Sequence, residues 1–291
     1  MNKFKKIGVI GAGTMGRGIA LSCIQAKYET IVFDIQESNT KTAQDYIFTQ
    51  LLKAVEKGKS TNEDATAAKN LLKMSNDIGD LAGCDLVIEA IIEDYSVKNE
   101  VFEGLELVGI SDSAVIATNT SSLSVNALAA SLKNPERFVG LHFFNPAHIM
   151  KLVEIVQGAR TSDAVVERCV DFIKSLGKSP VIAKDVPGFI VNRVARNYYN
   201  EAMRIATEGI AEPGQIDRLM KSVGFKMGPF ELMDLIGNDV NLEVTKSVWA
   251  QYFNEPRFAP SLMQQQVVNA KTFGKKSGRG FYDYAEENKG K

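Results

Sequence analysis

Residues 6–34 read KIGVIGAGTMGRGIALSCIQAKYETIVFD, and the pattern of this stretch decides the fold of the first half of the chain. Lys6–Ile10 is a short apolar run of strand length, Thr14–Ala26 carries apolar side chains at helical spacing, and Thr30–Phe33 is a second strand. Between the first strand and the helix stands Gly11-Ala12-Gly13-Thr14-Met15-Gly16. Gly11 is expected to make the tight turn, Gly13 to let backbone approach a pyrophosphate, and Gly16 to let the helix press on the strand. The helix N-terminus adds N–H groups and partial positive charge for the phosphates. Asp34 ends the second strand 23 residues after Gly11, where a carboxylate can accept from both hydroxyls of an adenosine ribose. A glycine cluster alone also suits a plain turn. With strand, turn, helix, strand and acid in this order it points to a nucleotide. S-adenosylmethionine is held by similar loops, so what separates it from a dinucleotide must lie downstream.

Outward from this unit, short apolar runs alternate with helical patterns to about residue 185. Leu86–Ala90, Val115–Ala117, Val139–His142, Leu152–Val156 and Pro180–Ala183 read as buried strands. The fold class expected is α/β, Rossmann-like, with a mostly parallel sheet. Lys41–Lys73 departs from the alternation: two polar helices parted by Gly58–Thr61, read as a helical hairpin inserted in the domain and standing off the sheet. The pattern changes again at Val186-Pro187-Gly188, a good boundary signal. Beyond it Val191, Val194, Ala195, Tyr198, Tyr199 and Ala202 recur at helical spacing and no strand pattern follows. Two domains are therefore expected, 1–186 and 187–291, the second all-α. The polar tail Glu286–Lys291 is the one low-complexity segment.

Composition narrows the function. The 291 residues are 45% hydrophobic and 24% charged, the balance of a soluble globular protein with a sizeable core. A net charge of −1 recruits neither nucleic acid nor an anionic membrane, so any anion must be bound locally. Cys23, Cys84 and Cys169 are scattered and the chain has two histidines, His142 and His148, which argues against disulfides and a metal site and for a reducing cytoplasm. Lys3, Lys5 and Lys6 ahead of Ile7–Met15 mimic a secretory leader, but Arg17 and the glycines interrupt the run. No stretch has the length to span a bilayer.

A second group of residues carries chemistry. Val115–Ala117 runs into Thr118-Asn119-Thr120-Ser121-Ser122, a small polar loop at a strand's carboxyl end, where open α/β sheets bind ligands. The next strand ends at Leu141-His142-Phe143-Phe144-Asn145-Pro146. Glu154 lies 12 residues beyond His142, inside Leu152-Val153-Glu154-Ile155-Val156, where a carboxylate is costly to bury unless paired. His142 is its natural partner. Such a pair is a general acid–base device, suited to alcohol oxidation. The plainer alternatives are a structural histidine and a glutamate alternating outward from a half-exposed strand. His148 reads as structural or as lining a substrate channel.

Six motifs, GAGTMG at 11–16, EAIIE at 89–93, NTSSL at 119–123, HFFNP at 142–146, PGFIVNR at 187–193 and MGPFELMDLIG at 227–237, together with Asp34 and FGKKSGRGFYDY at 273–284, resemble the 3-hydroxyacyl-CoA dehydrogenases. The later motifs are foreign to methyltransferases. The resemblance implies NAD as cofactor, an acyl-CoA substrate, and a homodimer formed through the helical domain. It implies catalytic roles for His142, Glu154, Ser121 and Asn192, with Ser121 and Asn192 also binding substrate. Cofactor contacts are implied for Gly11, Ala12, Gly13, Thr14, Met15, Gly16, Asp34, Glu93, Lys98, Asn119, Ser121, Asn145 and Lys276. A helix of the hairpin is expected to meet the CoA portion through Lys57, with Gln50 where some relatives carry a serine.

Overall fold

Eight strands form one sheet in the computed structural model, which describes residues 4–285; the polar tail Glu286–Lys291 lies outside the described residues. The strands are β1 (Lys6–Ile10), β2 (Glu29–Phe33), β3 (Leu72–Ser75), β4 (Leu86–Glu89), β5 (Val115–Thr118), β6 (Phe138–Phe143), β7 (Leu152–Gln157) and β8 (Ser179–Lys184). Their order is β3-β2-β1-β4-β5-β6-β7-β8. All neighbours are parallel except β6 and β7. Chain order reverses between β1 and β4, and at such a switch point the crevice for a ligand opens at the carboxyl ends of the strands. The central strands are apolar on both faces because helices cover both. Ile7, Val9, Leu86, Ile88, Val115 and Ala117 are fully buried. Each large aliphatic side chain so buried contributes about 1.5–3 kcal/mol.

Helices α1 (Thr14–Gln25), α2 (Glu37–Glu56), α3 (Asn62–Asn70), α4 (Tyr95–Leu107), α5 (Val125–Ala129) and α6 (Asp163–Ser175) complete this unit, residues 1–186. Two expectations need correction here. The helical hairpin α2–α3 forms within the crossover from β2 to β3, but it packs on the core instead of standing off the sheet. Its buried stripe Ala43, Ile47, Leu51, Ala65 and Ala68 joins the core that also contains α1. The strand it delivers, Leu72-Lys73-Met74-Ser75, is short and alternates weakly, and the sequence pattern passed over it. Pro180–Ala183 is a strand but not a buried one: β8 is the sheet edge, with Ala183 buried and Ile182 52% exposed.

Residues 187–291 form the second unit, all helical within the described residues: α7 (Val191–Thr207), α8 (Pro213–Ser222), α9 (Pro229–Ile236), α10 (Asn238–Gln251) and α11 (Leu262–Asn269). Tyr199, Met203, Ile216, Phe230 and Met233 make its core. The apolar stripe of α7 is only partly consumed by that core, for Tyr199 and Ala202 are buried while Val194 is exposed. The segment 273–284 is fastened by two buried carboxylates, and to one of them, Asp217, the Tyr282 hydroxyl donates at 2.7 Å. Asp234 accepts from the backbone N–H of Phe281 and Tyr282, both at 3.0 Å, from the Tyr284 hydroxyl at 3.1 Å and from Asn238 at 2.7 Å.

Candidate active site

The dinucleotide turn has the backbone its glycines require. Gly11 sits at φ +96°, and a Cβ there would meet the Ala90 carbonyl oxygen at 2.6 Å. A Cβ on Gly16 would lie 1.8 Å from the Gly11 oxygen, so the close approach tolerates no side chain. At Gly13 the Cβ direction is open, leaving backbone accessible from outside. Gly13 is also the N-cap of α1, with no side-chain cap and no acid in the first turn. The helix carries no acid of its own at its positive end, which suits a phosphate site. Thr14 is exposed and Met15 half-buried at this end.

Asp34 follows β2 and is half-buried. Its Oδ2 accepts from the Ala12 N–H at 2.9 Å, and Oδ1 accepts from Gln36 N and Asn39 Nδ2 at 3.0 and 3.1 Å. The carboxylate is thereby held beside the glycine turn. These features fit the adenosine half of a dinucleotide.

His142 and Glu154 stand directly opposite each other in the antiparallel pairing of β6 with β7. Strand register alone brings them together. His142 Nδ1 lies 2.7 Å from Glu154 Oε2, and the residues are 5% and 1% exposed. The glutamate is thus neither outward-facing nor unpartnered. Because β6 runs parallel to the strands before it, His142 reaches the sheet edge where the glycine turn opens. Phe144 packs its ring 4.4 Å from the imidazole. Asn145 follows, exposed, with a cis bond to Pro146.

The loop after β5 joins the same edge. Asn119 Oδ1 accepts from Phe143 N at 2.9 Å, tying the loop to the strand that holds His142. Ser121 donates its N–H to Glu93 Oε1 at 2.8 Å, and its hydroxyl lies 3.5 Å from that oxygen. Glu93 Oε1 also accepts from Thr120 Oγ1 at 2.5 Å, Ser122 N at 3.1 Å and Ser122 Oγ at 3.0 Å. Its Oε2 is 3.3 Å from the Lys98 ammonium. Burial alone would raise the Glu93 pKa; Lys98 and the hydrogen bonds from Thr120, Ser121 and Ser122 outweigh it and hold the carboxyl below its ordinary value. Lys98 is 1% exposed and also pairs with Glu89 at 2.5 Å.

The remaining predicted residues are described element by element. Lys57 is the exposed C-cap of α2 and Gln50 is half-buried on that helix. Asn192 is in the first turn of α7, where its carbonyl accepts from Arg196 Nε at 3.3 Å. Lys276 pairs with Asp239 at 2.7 Å, within the second unit. His148 is half-buried, edge-on to Tyr46 of α2; burial first, then the charges of Lys178 and Arg17, push its pKa down. Among the described residues no group of three or more His, Cys, Asp or Glu is placed to hold a metal, and no helix is long and apolar enough to cross a membrane.

Residues 6–186 match the family model described as 3-hydroxyacyl-CoA dehydrogenase, NAD binding domain, and residues 188–284 match the C-terminal domain of the same family. The chain belongs to the 3-hydroxyacyl-CoA dehydrogenases. Its cofactor is NAD. Across 288 residues it is 46% identical to the 3-hydroxyadipyl-CoA dehydrogenase of Escherichia coli K12, covering 99% of this chain but 60% of that longer relative. It is 38% identical to the 3-hydroxybutyryl-CoA dehydrogenase of Bradyrhizobium diazoefficiens, covering 96% of this chain and 95% of the relative. The crystal structure of (S)-3-hydroxybutyryl-CoA dehydrogenase from Ralstonia eutropha superposes with a TM-score of 0.93 at 36% identity, over 97% and 99% of the two chains.

Within this 3-hydroxyacyl-CoA dehydrogenase, sequence reasoning assigned no role to Glu89 or Thr118, although both are fully buried polar groups beside the site. The signal was present: Leu86-Val87-Ile88-Glu89 places a carboxylate in an apolar strand, as Leu152–Val156 does. Its partners were not, since Lys98 and Thr118 are 9 and 29 residues away.

Proposed function

We propose that the protein catalyses the reversible oxidation of (S)-3-hydroxyacyl-CoA to 3-ketoacyl-CoA, with short acyl chains such as 3-hydroxybutyryl as substrate, and that it works in the cytoplasm. The observation that carries the reading is the buried His142–Glu154 pair at the edge where the dinucleotide turn opens. NAD held at the glycine turn and by Asp34 would supply the acceptor for the hydride that leaves C3. His142 takes the hydroxyl proton as the C3 carbonyl forms, and returns it in the reverse direction. Glu154 holds Nδ1, which orients the ring and assigns the exchange to Nε2 while stabilising the imidazolium. Ser121 orients the 3-oxygen, on a loop tied by Asn119 to the strand of His142. Asn192 is assigned to the substrate, and Lys57 to the CoA portion, by the resemblance. Asp34 would face the 2′-phosphate of NADP at the cost of its ribose hydrogen bonds, which favours NAD. The higher identity to a 3-hydroxyadipyl-CoA dehydrogenase supports a second reading, a longer substrate ending in a carboxylate.

The test is a rate comparison following NADH consumption with acetoacetyl-CoA, longer 3-ketoacyl-CoAs and 3-oxoadipyl-CoA, repeated with NADPH. Highest kcat/KM with acetoacetyl-CoA, and NADH well above NADPH, is the expected result. Highest kcat/KM with 3-oxoadipyl-CoA would select the second reading. A folded protein that binds NADH yet turns over none of these thioesters would overturn both.

A further inference from the structure

A carboxylate buried in a central strand needs a reason, because an apolar residue of similar volume would serve the core as well or better. Glu89 is the last residue of β4 and is completely buried. Its Oε1 accepts from the Ile91 N–H at 2.8 Å and from Lys98 Nζ at 2.5 Å, while Oε2 accepts from Thr118 Oγ1 at 2.6 Å. Two arms leave it, and both end on the loop that carries Ser121. In the first arm Lys98 bridges to Glu93 at 3.3 Å, and Glu93 gathers Thr120, Ser121 and Ser122. In the second, the Thr118 oxygen that donates to Glu89 also accepts from Thr120 N at 3.2 Å. The Glu89 carbonyl adds a third tie by accepting from Asn119 N at 2.8 Å. Asn119 in turn accepts from Phe143 N, next to His142.

The geometry points to Glu89 as a positioning residue for the dehydrogenase reaction, holding Ser121 and Glu93 in register with His142 through Lys98 and Thr118. The role in turnover rests on the function proposed above. The role in shaping the cofactor side of the loop does not. Lys98 belongs to the same device: its buried ammonium sits between two carboxylates and supports Glu93 from beneath.

Hydrogen-bond polarity makes the proposal testable. Glu89→Gln keeps the shape, but a carboxamide has one accepting end and one donating end. With its nitrogen towards Thr118, it meets a hydroxyl that must then accept twice and donates to nothing. Flipped, the nitrogen faces Lys98 Nζ and Ile91 N, donor against donor. The first orientation keeps the Thr118 tie but leaves its buried hydroxyl proton without an acceptor, and the second breaks the Lys98 arm, so each weakens one arm. Thr118→Val opens only the second arm, and Thr118→Ser restores the hydroxyl.

In the 291-residue chain, Glu89→Gln and Thr118→Val should each lower kcat with acetoacetyl-CoA by ~10–100-fold, the scale of a sub-ångström misplacement of an orienting group. Both should weaken NADH binding measured by fluorescence titration, and Thr118→Ser should return both properties to near wild type. The double variant Glu89→Gln/Thr118→Val should fall short of the product of the two single losses, because both act on one network. A residue serving stability alone would lower the thermal midpoint and leave kcat and NADH affinity of the folded protein unchanged; that result in either variant overturns the proposal. If Glu89→Gln does not fold, the Thr118→Val and Thr118→Ser pair decides. If the wild type reduces no 3-ketoacyl-CoA, the functional reading fails separately, and the NADH titrations of the variants still give the answer.

Discussion

His142 and Glu154 face each other because β6 and β7 are antiparallel in that register, so neither can be moved without breaking a strand pair. Chemistry can be separated from packing by isosteric change. His142→Gln removes the titrating group and should lower kcat for alcohol oxidation by ~10²–10⁴-fold, the usual range for losing a placed acid–base group. NADH affinity should hardly move. Glu154→Gln keeps volume and a hydrogen bond but removes the charge that favours the protonated ring. In Glu154→Gln kcat for oxidation should fall, while NADH affinity is kept. The measurement is kcat for alcohol oxidation, with an NADH titration beside it, for the two variants and the wild type. Near-normal turnover in His142→Gln, or an unchanged rate in Glu154→Gln, would return the pair to a structural role. At this scale a carboxylate in an apolar run was legible at Glu154 because a histidine lay one strand earlier. The same signal at Glu89 went unread, for a lysine on a helix and a threonine on a neighbouring strand are joined to it only by the fold.

Among elements, the dinucleotide unit was legible because each part has its own local signature: apolar strand, glycine turn, helical period, terminal acid. β3 was not, since four residues with one buried side chain leave almost no pattern, and what makes them a strand is the free edge of β2. The edge position of β8 was equally hidden, because Pro180–Ala183 is as apolar as a central strand. The motifs at 227–237 and 273–284 prove to be halves of one clasp, with Asp234 in the first and its donors in the second. Gly280 is the tightest point: a Cβ there would lie 2.1 Å from Asp234 Oδ1. Gly280→Ala should therefore push the clasp open and leave a buried carboxylate short of donors, costing about 1–3 kcal/mol. A lowered denaturation midpoint, with early proteolysis near the C-terminus, is the expected outcome. An unchanged midpoint would show that the clasp does not contribute to stability.

For the whole molecule, the helical second unit presents more apolar surface than its own core uses. On α8, Leu219 is 63% exposed, and Val223 just beyond it, one helical turn on, is 64% exposed. Val194 of α7, Phe225 and Phe253 are exposed as well. Single exposed apolar residues are ordinary, but several on one small helical unit suit association with a second copy. Two identical chains can meet through the same patch about a twofold axis, and a stable interface of this kind buries about 1,200–2,000 Å². The purified protein should accordingly have twice the mass of one chain in light scattering at micromolar concentration. Leu219→Glu with Val223→Glu places two like charges per subunit in such a contact, where burying them unpaired is strongly unfavourable. The double variant should sediment as a monomer while its first unit still binds NADH. A wild type that is monomeric at micromolar concentration would refute the dimer. A dimeric double variant would move the interface to other residues of the second unit, and the same charge substitution at Val194 and Phe253 would then locate it.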